Sequence, residues 1–467
     1  MGGIFGVVSN QDCEMDLFYG TDYHSHLGTC RGGIAVKNGG CFQRSIHDIT
    51  NAQFRSKFEY DIMEMKGNVG IGVISDNESQ PLIIGSHLGT YAIVTVGAIR
   101  NIDELAKDAF SKSGVHFSEM SGGGINPTEL VAMLINQEAT FADGIEHALE
   151  RIEGSCSLLL LTENGIYAGR DLLGRTPVVI GKKPGSYAAT LETTAFPNLE
   201  FEVEHNLEPG EVVLLTPEGM EKMKPPKDKM QICSFLWVYY GFPASTYEGI
   251  NVEDVRNRCG RALAKNDKEQ VDFVSCIPDS GTAHAIGYAN ERKIPYKRPF
   301  TKYTPTWPRS FMPQDQGMRD LVARMKLIPV KELIQGRKIL FCEDSIVRGT
   351  QLKVTIQRLY GWGAKELHMR PACPPLVFSC KYLNFSRSRS EMDLAARRAI
   401  KELEGSGDIK PEQYIDPGSD KYLAMVDRIR RRLNLTTLKY QKLSDLVSAI
   451  GIPKEKLCTY CWDGCEG

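Results

Sequence analysis

The stretch Lys338–Gln351, KILFCEDSIVRGTQ, constrains the fold of this chain more than any other. Ile339, Leu340 and Phe341 make the unbroken apolar run of a strand buried on both faces, which marks a parallel sheet. Glu343 and Asp344 stand at its carboxyl end, followed by Ser345, Ile346, Val347, Arg348, Gly349 and Thr350 before helical spacing resumes. Acids in that position can bind ribose hydroxyls and a hard cation. A small-residue turn entering a helix presents backbone N–H groups and hydroxyls to a phosphate. An acidic loop before a capped helix is common in α/β proteins. Here strand, acids, turn and helix also fall in the order that a phosphorylated-sugar site requires.

At 467 residues the chain exceeds one usual core, so two domains are expected. Its 42% hydrophobic and 24% charged content is that of a soluble globular protein, and a net charge of -2 gives no electrostatic reason to bind nucleic acid or an acidic membrane. No apolar run is long enough to span a bilayer, and MGGIFGVVSNQDCEMD has neither a basic n-region nor a cleavable apolar core, so a cytoplasmic protein is expected. The 13 cysteines are odd in number and irregularly spaced, which argues against a disulfide framework. Cys276, inside VDFVSCI, reads as a small buried apolar residue.

Up to about residue 225, short β-type runs (GGIFGVV, NVGIGVIS, YAIVTVG, CSLLLLT, EVVLLT) alternate with turns, and Ile125–Ile135 and Asp143–Arg151 have helical spacing. Pattern alone gives a layered α+β domain. The charged, proline-bearing KMKPPKDKM, Lys222–Met230, marks the boundary, giving domains 1–228 and 229–467. Beyond it the run Val271–Ile277 reads as a strand, and Pro278-Asp279-Ser280-Gly281 leads into the helical AHAIGYA, a turn suited to pyrophosphate.

KILFCEDSIVRGTQ resembles the binding loop of type I phosphoribosyltransferases, which hold phosphoribosyl pyrophosphate (PRPP) with magnesium. In the first half GIFGVV, the segment His24–Val36, Gly70-Ile71-Gly72, YAIVTVG, PTELVAMLI, RDLLGRTPVVIG and LEPGEVVLL together resemble the glutaminase domain of the glutamine PRPP amidotransferase family. QICSFLWVYYGFPASTYEGINVEDVR resembles the start of that family's phosphoribosyltransferase half. The resemblance implies an α+β N-terminal-nucleophile hydrolase-like four-layer sandwich, followed by an α/β type I phosphoribosyltransferase domain. It places PRPP on Asp279, Ser280, Gly281 and the turn Ser345–Thr350, and magnesium on Glu343 and Asp344. Pro299–Arg324 corresponds to a loop that folds over PRPP and excludes water. Arg309, Ser310, Phe311, Pro313 and Gln314, then Met325-Lys326-Leu327, match its pattern, which makes Arg309 and Lys326 the candidate catalytic groups. Lys302–Pro308 departs from it, and two prolines and a tryptophan would stiffen that lid.

Other departures fall on the glutamine site. The family's nucleophilic cysteine corresponds to Gly2, its carboxylate-binding arginine to about Ser75, its oxyanion Asn-Gly pair to Val96-Gly97, and its ammonium-binding aspartate to Pro127. Glycine has no side chain to attack an amide. Neither Cys13 nor Cys30 could carry a free α-amine without removal of the first strand. A scaffold without glutaminase chemistry is expected.

Cys458 and Cys461 form a C-x-x-C pair that could be a zinc half-site, a redox pair or chance. With Cys233 and Cys380 they make four thiolates able to hold zinc or an iron–sulfur cluster. LVSAIGIPKEKLCTYCWDG is similar to the tail of the family's iron–sulfur branch, which implies a structural 4Fe-4S cluster, with zinc as the alternative and Cys373 and Cys465 as spare thiols. Two functions follow from the resemblance. One is transfer of the phosphoribosyl group to ammonia, whether free or from an ammonia-supplying protein, or to another amine. The other is a catalytically silent sensor of PRPP or nucleotides. The family's members also tend to be homo-oligomers.

Overall fold

The computed structural model describes residues 2–76, 78–111, 117–118, 120–121, 123–302, 327–383, 390–405 and 410–466. Among these, no helix is long and apolar enough to cross a membrane.

In the first half, β1 (Gly3–Ser9), α1 (Glu14–Asp22), β2 (Arg31–Asn38), β3 (Cys41–Asp48), α2 (Phe54–Glu64), β4 (Val69–Ser75), β5 (Leu82–Ser86), β6 (Gly89–Ile99) and α3 (Ile102–Ser111) come first. They are followed by α4 (Pro127–Ile135), α5 (Phe141–Arg151), β7 (Gly154–Thr162), β8 (Gly165–Gly169), β9 (Val179–Lys183), β10 (Ser186–Thr190), β11 (Glu202–Asn206), β12 (Val212–Thr216) and β13 (Gly219–Lys224). A seven-stranded sheet runs β11-β9-β10-β1-β4-β2-β3, and a six-stranded sheet runs β13-β12-β8-β7-β6-β5. Period-2 alternation decides how they stack. Ile4 and Val8 of β1 meet Leu159 and Leu161 of β7 between the sheets. Phe5 and Val7 turn outward onto Leu17, Phe54 and Phe58 of α1 and α2, while Leu158 and Leu160 face Leu130 and Ile145 of α4 and α5. The result is helices, sheet, sheet, helices, the four-layer sandwich expected.

Helix boundaries shift for capping reasons. α4 starts at Pro127, not Ile125, because the Asn126 side chain accepts the Thr128 N–H and proline suits the first turn. α5 starts at Phe141, not Asp143, because Thr140 caps it. The predicted connector is shorter than KMKPPKDKM, since β13 runs through Lys224 and pairs with β12.

The second half opens with β14 (Ile232–Cys233), α6 (Val252–Lys265), β15 (Phe273–Cys276), α7 (Thr282–Arg292), β16 (Phe300–Lys302), β17 (Leu327–Pro329) and β18 (Lys338–Glu343). It continues through α8 (Thr350–Gly361), β19 (Glu366–Pro371), α9 (Ala395–Glu404), α10 (Asp420–Arg432), β20 (Thr437–Leu438), α11 (Leu443–Ile450) and β21 (Leu457–Cys458). A four-stranded sheet runs β15-β18-β19-β20, with every pairing parallel. Both faces are covered. Leu340 and Cys342 pack with Ala285 and Tyr288 of α7, while Ile339 and Phe341 pack with Ile356 of α8 and Ile400 of α9. The intersheet core of the first half continues through Ile232, Trp237 and Val252 to Trp462, so the two halves share apolar packing.

Candidate functional site

The carboxyl edge of the parallel sheet gathers both predicted phosphosugar loops. β18 and β15 are neighbours, and the Ile277 N–H donates to the Cys342 carbonyl at 3.2 Å. The loops touch at Gly281, where a Cβ would stand 2.6 Å from the Cys342 oxygen, so only glycine allows that approach. Gly349, at φ 73, ends the second turn in the left-handed region and lets α8 begin at Thr350. Asp279, Ser280 and Gly281 therefore lie beside Glu343, Asp344 and the Ser345–Thr350 turn.

Glu343 and Asp344 are 8% and 5% exposed. Ser345 Oγ donates to Asp344 Oδ1 at 2.7 Å, and the Asp344 N–H donates to Glu343 Oε1 at 3.2 Å. Burial, and next the neighbouring Asp344, push the Glu343 carboxyl well above the usual range. Burial also raises Asp344, opposed by bonds from Ser280 and Ser345 and by the charge of Arg256. Desolvated neighbouring carboxyls that ionise against a cation or sugar hydroxyl are a common feature of binding sites. The pair also suits magnesium, which takes one or two protein carboxylates and completes its shell with water and phosphate oxygens.

Inside the loop, Ile346 is buried in the core, and the Val347 carbonyl accepts the Ala395 N–H at 2.7 Å. Arg348 pairs with Asp393 at 3.6 Å, and its carbonyl accepts a bond from Arg398. α9 thus backs the turn. Lys302, at the end of β16, pairs with Asp279 at 2.6 Å. Arg309 and Lys326, with Ser310, Phe311, Pro313, Gln314 and the altered lid residues from Tyr303 to Pro308, lie outside the described residues.

Sequence reasoning gave no role to Lys302, Arg256 or Arg398. Arg256 is 3% exposed and donates to the carbonyls of Trp237, Tyr239 and Gly241 at 2.8–3.0 Å. A signal was present: it stands on the same stripe as Val252, Val255 and Cys259, the buried face of α6.

Among the positions matching the glutamine site, Gly2 packs against Ile74 and Ser75, and polar groups at or beside the others are engaged within the first half. A Cβ at Gly2 would lie 2.1 Å from the Ile74 carbonyl oxygen, and one at Gly3 would lie 2.5 Å from His24. His24 is 1% exposed. Its Nδ1–H donates to the Gly20 carbonyl at 2.8 Å, and Nε2 accepts from Thr190 Oγ1 at 3.1 Å. Ser75 Oγ donates to the Glu78 carbonyl at 2.7 Å. Thr95, beside Val96, gives its N–H to Gln80 Oε1 at 2.7 Å and shares a 2.7 Å hydroxyl bond with Thr128, next to Pro127. Cys13 is 1% exposed, and burial raises its thiol pKa.

A second constellation forms where the tail meets the domain boundary. β14 and β21 pair in parallel with Cys233 opposite Cys458. The Cys461 carbonyl accepts the Val377 and Phe378 N–H groups at 3.0 and 3.1 Å, which carries Cys380 to the same place. All four cysteines line one cavity, walled by Arg175, Phe235, Tyr382, Leu383, Tyr460 and Trp462. Burial raises Cys233 and Cys458, and a bond with Cys380, then burial, raises Cys461. Among the described residues no group of three or more His, Cys, Asp or Glu side chains is arranged to hold a metal ion. Cys373 is buried and Cys465 exposed.

Comparison with known proteins agrees with both halves. A glutamine amidotransferase domain family matches residues 68–197. The amidophosphoribosyltransferase of Methanocaldococcus jannaschii is 29% identical, covering 99% of this chain and 97% of its own. The chloroplastic amidophosphoribosyltransferase of Vigna aconitifolia is 30% identical, covering 86% and 83%. Among solved structures, the allosteric regulatory enzyme of purine biosynthesis superposes with a TM-score of 0.85 at 26% identity, covering 99% of this chain and 95% of its own. The glutamine PRPP amidotransferase of B. subtilis, complexed with ADP and GMP, gives 0.83 at 26% identity, covering 99% and 96%.

Proposed function

The chain belongs to the amidophosphoribosyltransferase family, and on that premise we propose that it binds PRPP with magnesium and transfers the phosphoribosyl group to ammonia, its glutaminase chemistry lost. One juxtaposition carries this reading. The Glu343–Thr350 strand end, acids and turn are assembled, while a Cβ at Gly2 would lie 2.1 Å from the Ile74 carbonyl oxygen.

The Ser345–Thr350 turn, opening α8, would take the sugar's phosphate on its N–H groups. Glu343 and Asp344 would hold the ribose hydroxyls and the metal, and the Asp279–Gly281 turn would take the pyrophosphate. The ammonia lone pair forms the C1–N bond as the bond from C1 to the pyrophosphate oxygen breaks, and nitrogen then releases a proton to solvent. Magnesium, when bound, neutralises charge growing on the leaving pyrophosphate. Arg309 and Lys326 are the candidate groups of the segment that covers the sugar. Cys233, Cys380, Cys458 and Cys461 would hold an iron–sulfur cluster that staples the boundary, middle and tail of the second half. The four thiols line one cavity, and a zinc ion is the alternative occupant.

A silent PRPP sensor is the competing reading, favoured by Gly2 and by the altered lid sequence Lys302–Pro308. Pyrophosphate release from PRPP and magnesium, measured anaerobically, separates the two. Release that saturates with ammonium and ignores glutamine is expected. PRPP binding without release would make the protein a sensor, and release driven by glutamine with matching glutamate would restore the glutaminase.

A further inference from the structure

The motif RDLLGRTP, residues 170–177, belongs to the first half, yet its contacts run to the cysteine cavity. Buried Asp171 accepts the N–H groups of Leu173 and Arg175 at 3.1 and 2.7 Å, which fixes a tight turn. The turn's carbonyls grip the segment that bears Cys233. Leu173 accepts the Gln231 N–H at 2.7 Å and Arg175 accepts the Cys233 N–H at 3.2 Å. The Arg175 side chain then enters the cavity itself. It is 5% exposed, and its guanidinium carbon lies 3.6 Å from the centroid of the Tyr382 ring. Nη1 donates to the Gly154 carbonyl at 3.1 Å and Nη2 to Gln231 Oε1 at 3.3 Å, while Nε has no hydrogen-bond partner. The guanidinium shares this cavity with Cys458. Among the described residues no Asp or Glu side chain lines the cavity, so no carboxylate there competes with the thiols for this cation.

We propose that Arg175, supplied by the first half, is a positioning residue for the group held by Cys233, Cys380, Cys458 and Cys461, and that its fixed charge raises that group's reduction potential. The inference rests on the cluster reading above. A cation against ligand sulfur stabilises the more negative, reduced form, and in a buried site it is little screened. Cluster potentials respond to net charge and to hydrogen bonds at sulfur. This would also give the RDLLGRTP turn a purpose independent of glutamine.

The test uses full-length wild type, Arg175→Lys and Arg175→Met, purified anaerobically, with iron and acid-labile sulfide measured in each. The clusters are then titrated with dithionite and followed by electron paramagnetic resonance. Arg175→Met is expected to lower the reduced-to-oxidised ratio at a fixed potential at least tenfold, about 59 mV for one electron. Arg175→Lys, which keeps the charge, is expected to restore most of the difference. If the methionine variant loses its cluster, Arg175→Gln provides the uncharged comparison. Iron and sulfide in wild type with equal potentials in all variants would overturn the role of Arg175 alone. Wild type holding zinc, or neither iron nor sulfide, would overturn the cluster reading and this inference together.

Discussion

On the proposed reading Gly2 stands where a nucleophile would be needed, and the packing around it leaves no room for one. A side chain there meets the Ile74 carbonyl, and the neighbouring Gly3 is filled by His24. Gly2→Cys, with Met1 removed, is therefore expected to release no glutamate from glutamine and to unfold at a lower temperature than wild type. A glutamate burst or a trapped thioester would contradict that. Asp344→Asn is expected to lower ammonia-dependent PRPP turnover by about 10²-fold or more, the scale of one lost preorganised polar group. Unchanged turnover in a pyrophosphate assay would remove Asp344 from the site. At this scale the sequence was most readable where chemistry is local. Glu343, Asp344 and Gly349 stand within a few residues of one another, on a strand end and turn with a strong pattern. Lys302 reaches Asp279 from 23 residues away, and no spacing rule announces such a pair.

Elements were legible where period and caps agreed. β1 and β7 were recognisable as short apolar β-type runs, but α4 and α5 were set by Asn126 and Thr140, capping signals that apolar spacing ignores. β14 and β21 are two residues each, too short for any period, although they align Cys233 with Cys458. Two buried histidines make the helices sensitive to acid. Burial lowers His24, beyond the end of α1, from 6.5 to about 4, and lowers His284, in α7, to about 3. Both folded values lie below the unfolded one, so the stability they contribute is complete above pH 6.5. It is lost as pH falls and the unfolded chain takes up protons first. Urea unfolding is expected to show a loss of about 2 kcal/mol per histidine between pH 7 and pH 5. His284→Gln should remove about one proton from the slope. Equal stability at both pH values would contradict the neutral, buried state of these rings.

Across the whole molecule, the halves are joined by more than a linker. Glu192 of the first half is 1% exposed and accepts the Tyr247 hydroxyl of the second at 2.5 Å, and the apolar core runs from one into the other. The glutamine amidotransferase-like half therefore also serves as part of the second half's foundation. That continuity was not readable from KMKPPKDKM, which marks the connection without showing what packs across it. The central claim is that nitrogen reaches the sugar from ammonia and not from glutamine. The most direct measurement supplies anaerobic protein with PRPP, magnesium, 15N-ammonium and unlabelled glutamine in one reaction and determines the isotope bound at C1 of the product. The proposed ammonia-dependent reaction predicts product carrying 15N alone, with no glutamate formed. Product carrying 14N, with glutamate in equal amount, would contradict it.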